Sequence, residues 1–487
     1  TYMVSAGYMG DKGLTRHGDD RLTRYNLSGK INATLSKYVK LMYNTKFIRE
    51  DYDRPSYLTS NFYHNIARRW PTNPVKDANG YYLDHSEIIQ MEEGGRDVTQ
   101  KDQFYQQIQL VVEPLKDWLI HAEGNMKIVN NQNQWEVLPV YYHDGEGSPV
   151  AMAWFDGYTP GMSRVNQSYW KDNNYSLNLY TDYFKQIGDH YFKVMGGFNA
   201  ELYKRTNLSG QRDELITPDV PTLNTGTTEQ KANGGYSHWA NAGFFGRINY
   251  NYKERYLLEI NGRYDGSSRF IGDKRWGFFP SFSAGWNVSR EPFWRDLEHI
   301  VNNFKIRGSW GELGNCNTTA FYPFYQTMPT GVENSGWLIN GKKPNTASAP
   351  GIVSAEMTWE TVRSWNIGFD FGLLNNRLTG SFDYFVRNTL DMIGPAPQLP
   401  ATLGATVPKV NNAEMEAHLA SLPNGGQSQL GSKWAAGDIM YKDLNGDGKI
   451  SSGDGTLNDL GDLKVVANTQ LRFKYGLTLD ASWKGFD

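Results

Sequence analysis

The residues best spaced for chemistry are oxygen donors in one acidic loop. Asp443-Leu444-Asn445-Gly446-Asp447-Gly448-Lys449-Ile450-Ser451-Ser452-Gly453-Asp454 fits the D-x-[DN]-x-D-G pattern of a calcium loop. A hard cation such as Ca²⁺ takes oxygen ligands. Asp443, Asn445, Asp447, the carbonyl of Lys449 and Asp454 would supply them, with Gly448 permitting the sharp turn. Aspartate in the twelfth position reaches less far than the usual glutamate, so the affinity expected is modest. The plainer alternative is an acidic turn held by side chain–backbone hydrogen bonds without an ion. Lying between strands, an ion here would be structural rather than catalytic. A second chemistry is aromatic. Trp70, Trp154, Tyr158, Trp239 and Trp337 are read as loop aromatics and offer flat faces on which a ligand such as a sugar ring can stack; loop packing or an interfacial girdle is the alternative for each. Enzyme signatures are missing. There is no G-x-S-x-G elbow, no H-E-x-x-H and no Walker loop, and the nine histidines lack ligand spacing. The chain reads as a non-enzyme.

The elements that would position these residues are strands. From Tyr25 to Ser36 the odd positions are Tyr, Leu, Gly, Ile, Ala and Leu, and the even positions are all polar. Successive strand side chains point to opposite faces, so this segment separates an apolar medium from water. The pattern returns at 246–253, 256–265, 365–371, 378–386 and 475–483, with further candidates at 103–114, 115–130, 168–181, 189–203, 276–289 and 303–313. About fourteen strands are expected on this criterion. Composition agrees: aromatics make up 14% of the chain, yet mean hydropathy is −0.60. Alternating lipid-facing and lumen-facing residues keeps the mean low in a membrane barrel, while Tyr and Trp suit its interfaces. Net charge is −3 with both signs interspersed, which gives no nucleic-acid footprint. The single cysteine, Cys316, excludes an intramolecular disulfide.

Connections sharpen this. Short turns stand at 253–255 and 373–376; long polar segments are expected at about 51–102, 131–165, 204–237, 314–360 and 394–468. Short turns on one side and long loops on the other is the layout of an outer-membrane barrel. The fold class expected is therefore all-β, a transmembrane antiparallel β-barrel over residues 1–487. The chain starts inside a strand at Thr1–Tyr8 and stops after Trp483-Lys484-Gly485-Phe486, so it reads as a piece of a longer protein.

An ordered series of blocks then resembles the SusC/RagA-like TonB-dependent transporters. The blocks are Arg263-Tyr264-Asp265-Gly266-Ser267-Ser268-Arg269-Phe270, Arg275-Trp276-Gly277-Phe278-Phe279-Pro280-Ser281, Glu291-Pro292-Phe293, Phe304 to Asn315, Trp359-Glu360, Asn366 to Asp370 and Asp383 to Arg387. Gly437-Asp438-Ile439 through Tyr475-Gly476-Leu477 to Trp483-Lys484-Gly485-Phe486 closes the series. Together these cover most of 240–487; residues before 240 match mainly by pattern. Taken one by one, the same residues read as structural. Asp265-Gly266 is a turn signal, Arg269 is placed to pair with Asp265, and Trp276, Phe278, Phe279 and Trp286 read as an interfacial girdle. The resemblance implies a 22-stranded barrel filled by a plug, energy from TonB, and a SusD-like surface lipoprotein over the extracellular mouth. It also implies glycan or peptide cargo and a place in the outer membrane of a Bacteroidetes-type cell. Plug and TonB box are not among these residues. The family's additional strands before the acidic loop are also missing near 412–436, where Ala413 to His418 reads as a short helix. Two other functions stay open: a soluble or surface-displayed carbohydrate-binding β-protein, and a passive porin.

Overall fold

The computed structural model describes residues 1–84, 86–152, 159–318, 320–331, 333–348, 350–395, 409–411 and 480–481. The principal strands are β1 (Tyr2–Lys12), β2 (Arg21–Ser36), β3 (Val39–Pro55), β4 (Arg96–Leu115), β5 (Trp118–Val137), β6 (Arg164–Ile187) and β7 (His190–Leu215). They continue with β8 (Gly226–Tyr252), β9 (Tyr256–Ser267), β10 (Trp276–Asn287), β11 (Val301–Asn315), β12 (Glu360–Leu373), β13 (Leu378–Leu390) and β14 (Asp480–Ala481). Two helices, α1 (Ser60–Arg68) and α2 (Glu87–Glu93), lie between β3 and β4.

The chain forms two compact units. Thr1–Asp182 with Gly197–Ala242 makes the first, and Tyr183–Gly196 with Gly243–Asp487 the second. In the first, β1 to β5 pair antiparallel in chain order, followed by the parts of β6, β7 and β8 in that unit. In the second, the remaining parts of those three strands precede β9 to β13 in chain order, and β14 pairs with Leu378 and Thr379 of β13.

The alternation read from the sequence is carried across neighbouring strands in register. In the first unit Leu27, Phe47, Phe104 and Ile128 share one row, and Ala33, Leu41, Leu110 and Ala122 another. In the second unit Ile260, Phe282, Trp310 and Trp365 lie in one row, and Trp286, Ile306, Phe369 and Phe382 in another. Many of these apolar side chains are exposed: Leu27, Ile31, Phe282, Ile367 and Phe382 all lie between 45% and 53%. A water-soluble sheet would cover such a face.

The height of this stripe has a physical measure. It runs from Val39 to Phe47, Phe104 to Val112 and Ile120 to Ile128 in the first unit, and from Tyr256 to Tyr264 and Phe278 to Trp286 in the second. Each is nine residues, within the roughly 9–11 that a tilted strand needs to cross a bilayer core. Just above it in the first unit the outward row becomes Arg49, Asp102 and Asn130, and Arg49 clasps Asp102 with two bonds of 2.7 Å. Aromatic pairs mark the edges in the second unit, as with Tyr264 stacked on Trp276 at 5.0 Å.

Strands far exceed that height, and this corrects several expected loops. The segment 204–237 is mostly strand: β7 continues to Leu215 and β8 begins at Gly226, leaving 216–225 as the connection. Likewise β3 and β4 consume both ends of 51–102, and β5 and β6 those of 131–165. Beyond the hydrocarbon both faces meet water, so hydropathy stops alternating although the backbone ladder goes on. The connection between β11 and β12 spans residues 316–359. Residues 396–408 and 412–479, with them most of the expected 394–468 loop and the helix at 413–418, lie outside the described residues.

At the other strand ends the turns are tight. Lys253 and Glu254 adopt φ of 52° and 54°, and Leu374, Asn375 and Asn376 lie at 53°, 60° and 57°. Positive φ at the central residues matches the strand twist of a two-residue hairpin, and asparagine tolerates it best after glycine. The exception is 288–300, which holds two short 3-10 turns.

Candidate functional site

The polar face is the chemically organised one. In the first unit it carries a ladder in which Asn44 donates to Gln107 (2.7 Å), Gln107 to Glu123 (3.1 Å), and Asn125 to both Glu123 (2.8 Å) and Ser176 (3.2 Å). Further along, Trp239 stacks on Tyr203 with centroids 5.7 Å apart. Arg205 clasps Asp172 through two bonds of 2.6 Å and lies 4.8 Å from the Trp170 ring. Strand parity puts all five on one face. On β6 the exposed apolar residues Tyr175, Leu177 and Leu179 are odd-numbered, so Trp170 and Asp172 point the other way. Two indoles, a phenol and a fixed ion pair make a surface that can stack a ring and hydrogen-bond its edge.

In the second unit the polar face is charged. Arg307 bridges Asp370 (3.1 Å) and Asp383 (2.5 Å), and Asn366 adds a bond to Asp383 (3.0 Å). Asn249 and Asn261 both donate to Glu259, at 2.5 and 2.8 Å. Arg307, Asn366, Asn249 and Glu259 line a groove of about 470 Å³ with Lys305, Ser283 and Ser309.

Where the long connections root, each unit builds a small core. In the first, Tyr57, Leu58, Met91 and Val137 are buried together, with Phe62 and Trp135 against them. Ion pairs frame it. Arg54 holds Asp97 at 2.8 Å, and Arg69 forks onto the buried Glu87 at 2.5 and 2.9 Å. That carboxylate raises the Arg69 pKa. His17 and Tyr82 both contact Glu92, at 2.7 and 2.9 Å. Burial pushes the Glu92 carboxyl up, but the hydrogen bonds from His17 and Tyr82 outweigh it and hold the carboxyl below its ordinary value. Gly18 is required here: its φ is 82°, and a Cβ would stand 2.4 Å from the Met91 carbonyl.

The second core is Phe270, Phe279, Met357 and Trp359, with Cys316 and Ile393 packed on it. The Trp359 indole donates to the Arg275 carbonyl (2.9 Å), and the Thr358 hydroxyl to that of Lys274 (2.9 Å). Glu360 accepts from Asn315 (2.6 Å) and the amide of Ile393 (2.7 Å). Arg269 donates to the carbonyl and hydroxyl of Thr318, at 3.0 and 3.1 Å, while Arg263 holds Asp265, which corrects the expected Arg269–Asp265 pair. Phe279 is also corrected. It is only 6% exposed because its odd number sets it opposite Trp276, Phe278 and Trp286, which do lie on the exposed face. At the short-turn end Glu291 accepts from Tyr256 (2.7 Å) and Trp286 (3.0 Å), and these bonds hold its carboxyl below its ordinary value.

The residues expected to bind ligand fare differently. Trp239 was expected in a loop and instead sits on β8, in the aromatic cluster of the polar face. Trp70, just after α1, and Trp337, in the 316–359 connection, are 74% and 63% exposed. Trp154 and Tyr158 lie outside the described residues, as do Asp443, Asn445, Asp447, Lys449 and Asp454. Trp170, Asp172, Tyr203 and Arg205 were missed. Position parity on β6 and β7 was the signal that pointed to them.

A family model described as "TonB dependent receptor-like, beta-barrel" matches residues 15–485. The chain belongs to that family. Its fold is a transmembrane antiparallel β-barrel of the bacterial outer membrane, so the apolar stripe meets lipid and the polar face lines the lumen. The chain is similar to the TonB-dependent receptor SusC of Bacteroides thetaiotaomicron, 33% identical over 52% of this chain and 24% of SusC. It is also similar to the TonB-dependent receptor P26 of Formosa agariphila, 25% identical over 88% of this chain and 41% of that one. Among solved structures, the RagAB peptide importer in its "open-open" state superposes with a TM-score of 0.71 at 17% identity, over 84% of this chain and 44% of that one. The chain thus spans less than half the length of these relatives. The SusC/RagA-like resemblance and the outer-membrane location stand; the soluble alternative does not fit the exposed nine-residue stripe.

Proposed function

We propose that this chain is the membrane-spanning part of an active importer of large nutrients. In this reading TonB supplies the energy, through a segment outside these residues, and a SusD-like lipoprotein closes the extracellular mouth. Glycans or peptides are the cargo. The observation that carries the reading is the lumen-facing cluster of Trp170, Tyr203, Trp239 and the Arg205–Asp172 pair. It offers ring stacking beside a bidentate polar group, a combination suited to a saccharide ring or a peptide side chain. A passive porin needs no such cluster, only a polar wall.

The test is binding by the full-length protein with its native lipoprotein partner, screened by calorimetry against oligosaccharides and oligopeptides. One cargo class should bind, and Trp239→Ala should weaken it by about tenfold, the loss of one stacked ring. Uptake in cells should stop when TonB is deleted. TonB-independent uptake, or unchanged binding by Trp239→Ala, would overturn the proposal.

A further inference from the structure

A groove on the lipid-side face of the first unit lies apart from the lumen-facing cluster. It has room for about 820 Å³ and lies between the extensions of β4 to β8 above the apolar stripe. Parity fixes the face. Gln100, Gln132, Gln134, Gln167 and Tyr169 share it with Phe104, Ile128, Tyr175 and Leu177 on their own strands.

Height follows from register. Phe104 and Ile128 form the last apolar row, and Gln100 pairs with Gln132 four residues beyond it. Four residues rise about 13 Å along a strand, or about 9 Å vertically at a 45° tilt. That is headgroup height, so whatever fills the groove stands directly above the acyl chains. Chemistry narrows the occupant. Among the described residues no lysine, arginine, aspartate or glutamate lines the groove; amides and hydroxyls do, over a floor that includes Leu208 and Ala232. An uncharged amide surface gives little to a phosphate, whereas sugar hydroxyls both donate and accept, and sugar C–H faces sit on apolar floors.

The groove is also built. Gln167 donates to Gln134 (2.7 Å), and Gln134 donates to the Pro221 carbonyl (3.1 Å), which draws the 216–225 connection against this face. Leu223 of that connection forms a wall, close enough to Gly210 that a Cβ there would lie 2.9 Å from it. Tyr169 is fixed by its bond to Asn130 (3.2 Å).

We propose that this groove binds the sugar headgroup of an outer-leaflet glycolipid, seating one lipid against the barrel wall. The test uses the full-length protein in nanodiscs of phosphatidylglycerol mixed equally with a diglycosyl diacylglycerol, with retained lipids counted by native mass spectrometry. The glycosyl lipid should be retained over phosphatidylglycerol by about fivefold or more, the effect of one or two neutral hydrogen bonds. Gln132→Leu, a change at an exposed strand position, should remove that excess while the protein still migrates as a folded barrel on unheated gels. Equal retention of both lipids overturns the proposal, as does an excess that persists in Gln132→Leu. Displacement of the lipid by an equimolar free disaccharide would assign the groove to soluble sugar and also overturn it. Should the variant fail to fold, the lipid preference and the disaccharide competition of the unaltered protein still decide.

Discussion

The two root cores do the same task by different means. Each anchors a long connection to the ends of long strands. Around Tyr57, Leu58, Met91 and Val137 the frame is ionic: Arg54–Asp97, Arg69–Glu87 and the Glu92 contacts. Around Phe270, Phe279, Met357 and Trp359 the core is aromatic: Trp359 and Thr358 donate to backbone carbonyls, Arg269 donates to Thr318, and Glu360 accepts from Asn315 and the Ile393 amide. Ion pairs respond to pH and salt; indole–carbonyl bonds do not. The anchoring of the 56–95 connection should therefore depend on pH and salt more strongly than that of 316–359.

The largest expected effect tests the aromatic anchor. Trp359→Ala removes a buried ring and its bond to Arg275, a loss of about 3–5 kcal/mol of local stability. Hydrogen exchange should show protection lost across 316–359 and retained across 56–95. Loss in both connections would mean that the anchors are not independent. Next, Arg69→Ala leaves the Glu87 carboxylate buried without its fork. Because Arg69 is itself 42% exposed, the expected cost is discounted to about 1–2 kcal/mol. Limited proteolysis should find new cleavage near α1, and Glu87→Gln in the same background should recover part of the loss.

Acid should separate the two cores. Glu92 has a folded pKa below its ordinary value, so its stabilisation is fully present above the unfolded pKa, near 4.5, and is lost as pH falls through the lowered folded value. Protection in 76–92, taken relative to the intrinsic exchange rate at each pH, should fall as pH drops below about 4.5. Protection around Trp359 should change less, and Glu92→Gln should flatten the response of 76–92. The smallest effect concerns the acidic loop. If Asp443, Asn445, Asp447 and Asp454 hold calcium, chelation should lower the unfolding temperature by about 2 °C, restored by Ca²⁺ and absent in Asp447→Asn, with both root cores unmoved. No shift on chelation would leave an acidic turn.

The barrel wall was legible because strand alternation is a local property. Tyr25 to Leu35 declares its two faces with no knowledge of any neighbour, and the Asn375-Asn376 turn declares its backbone just as locally. Strand length was not legible. Past the hydrocarbon, as at 204–215 and 226–237, both faces are wet, so the ladder continues while its hydropathy signal fades. Trp239 was picked out for its ring, yet its placement beside Tyr203 and the Arg205–Asp172 pair depends on strand register.

By itself, then, the sequence determined the fold class, the lipid-facing side of each strand and the family, all of which follow from residue order along one strand or one block. Only the tertiary structure decided what the family blocks are for. Residues 269–279, 315–318 and 357–360 are joined at the root of one connection by hydrogen bonds that span up to 84 positions. Such convergence is set by pairing between strands, which no single stretch of chain encodes.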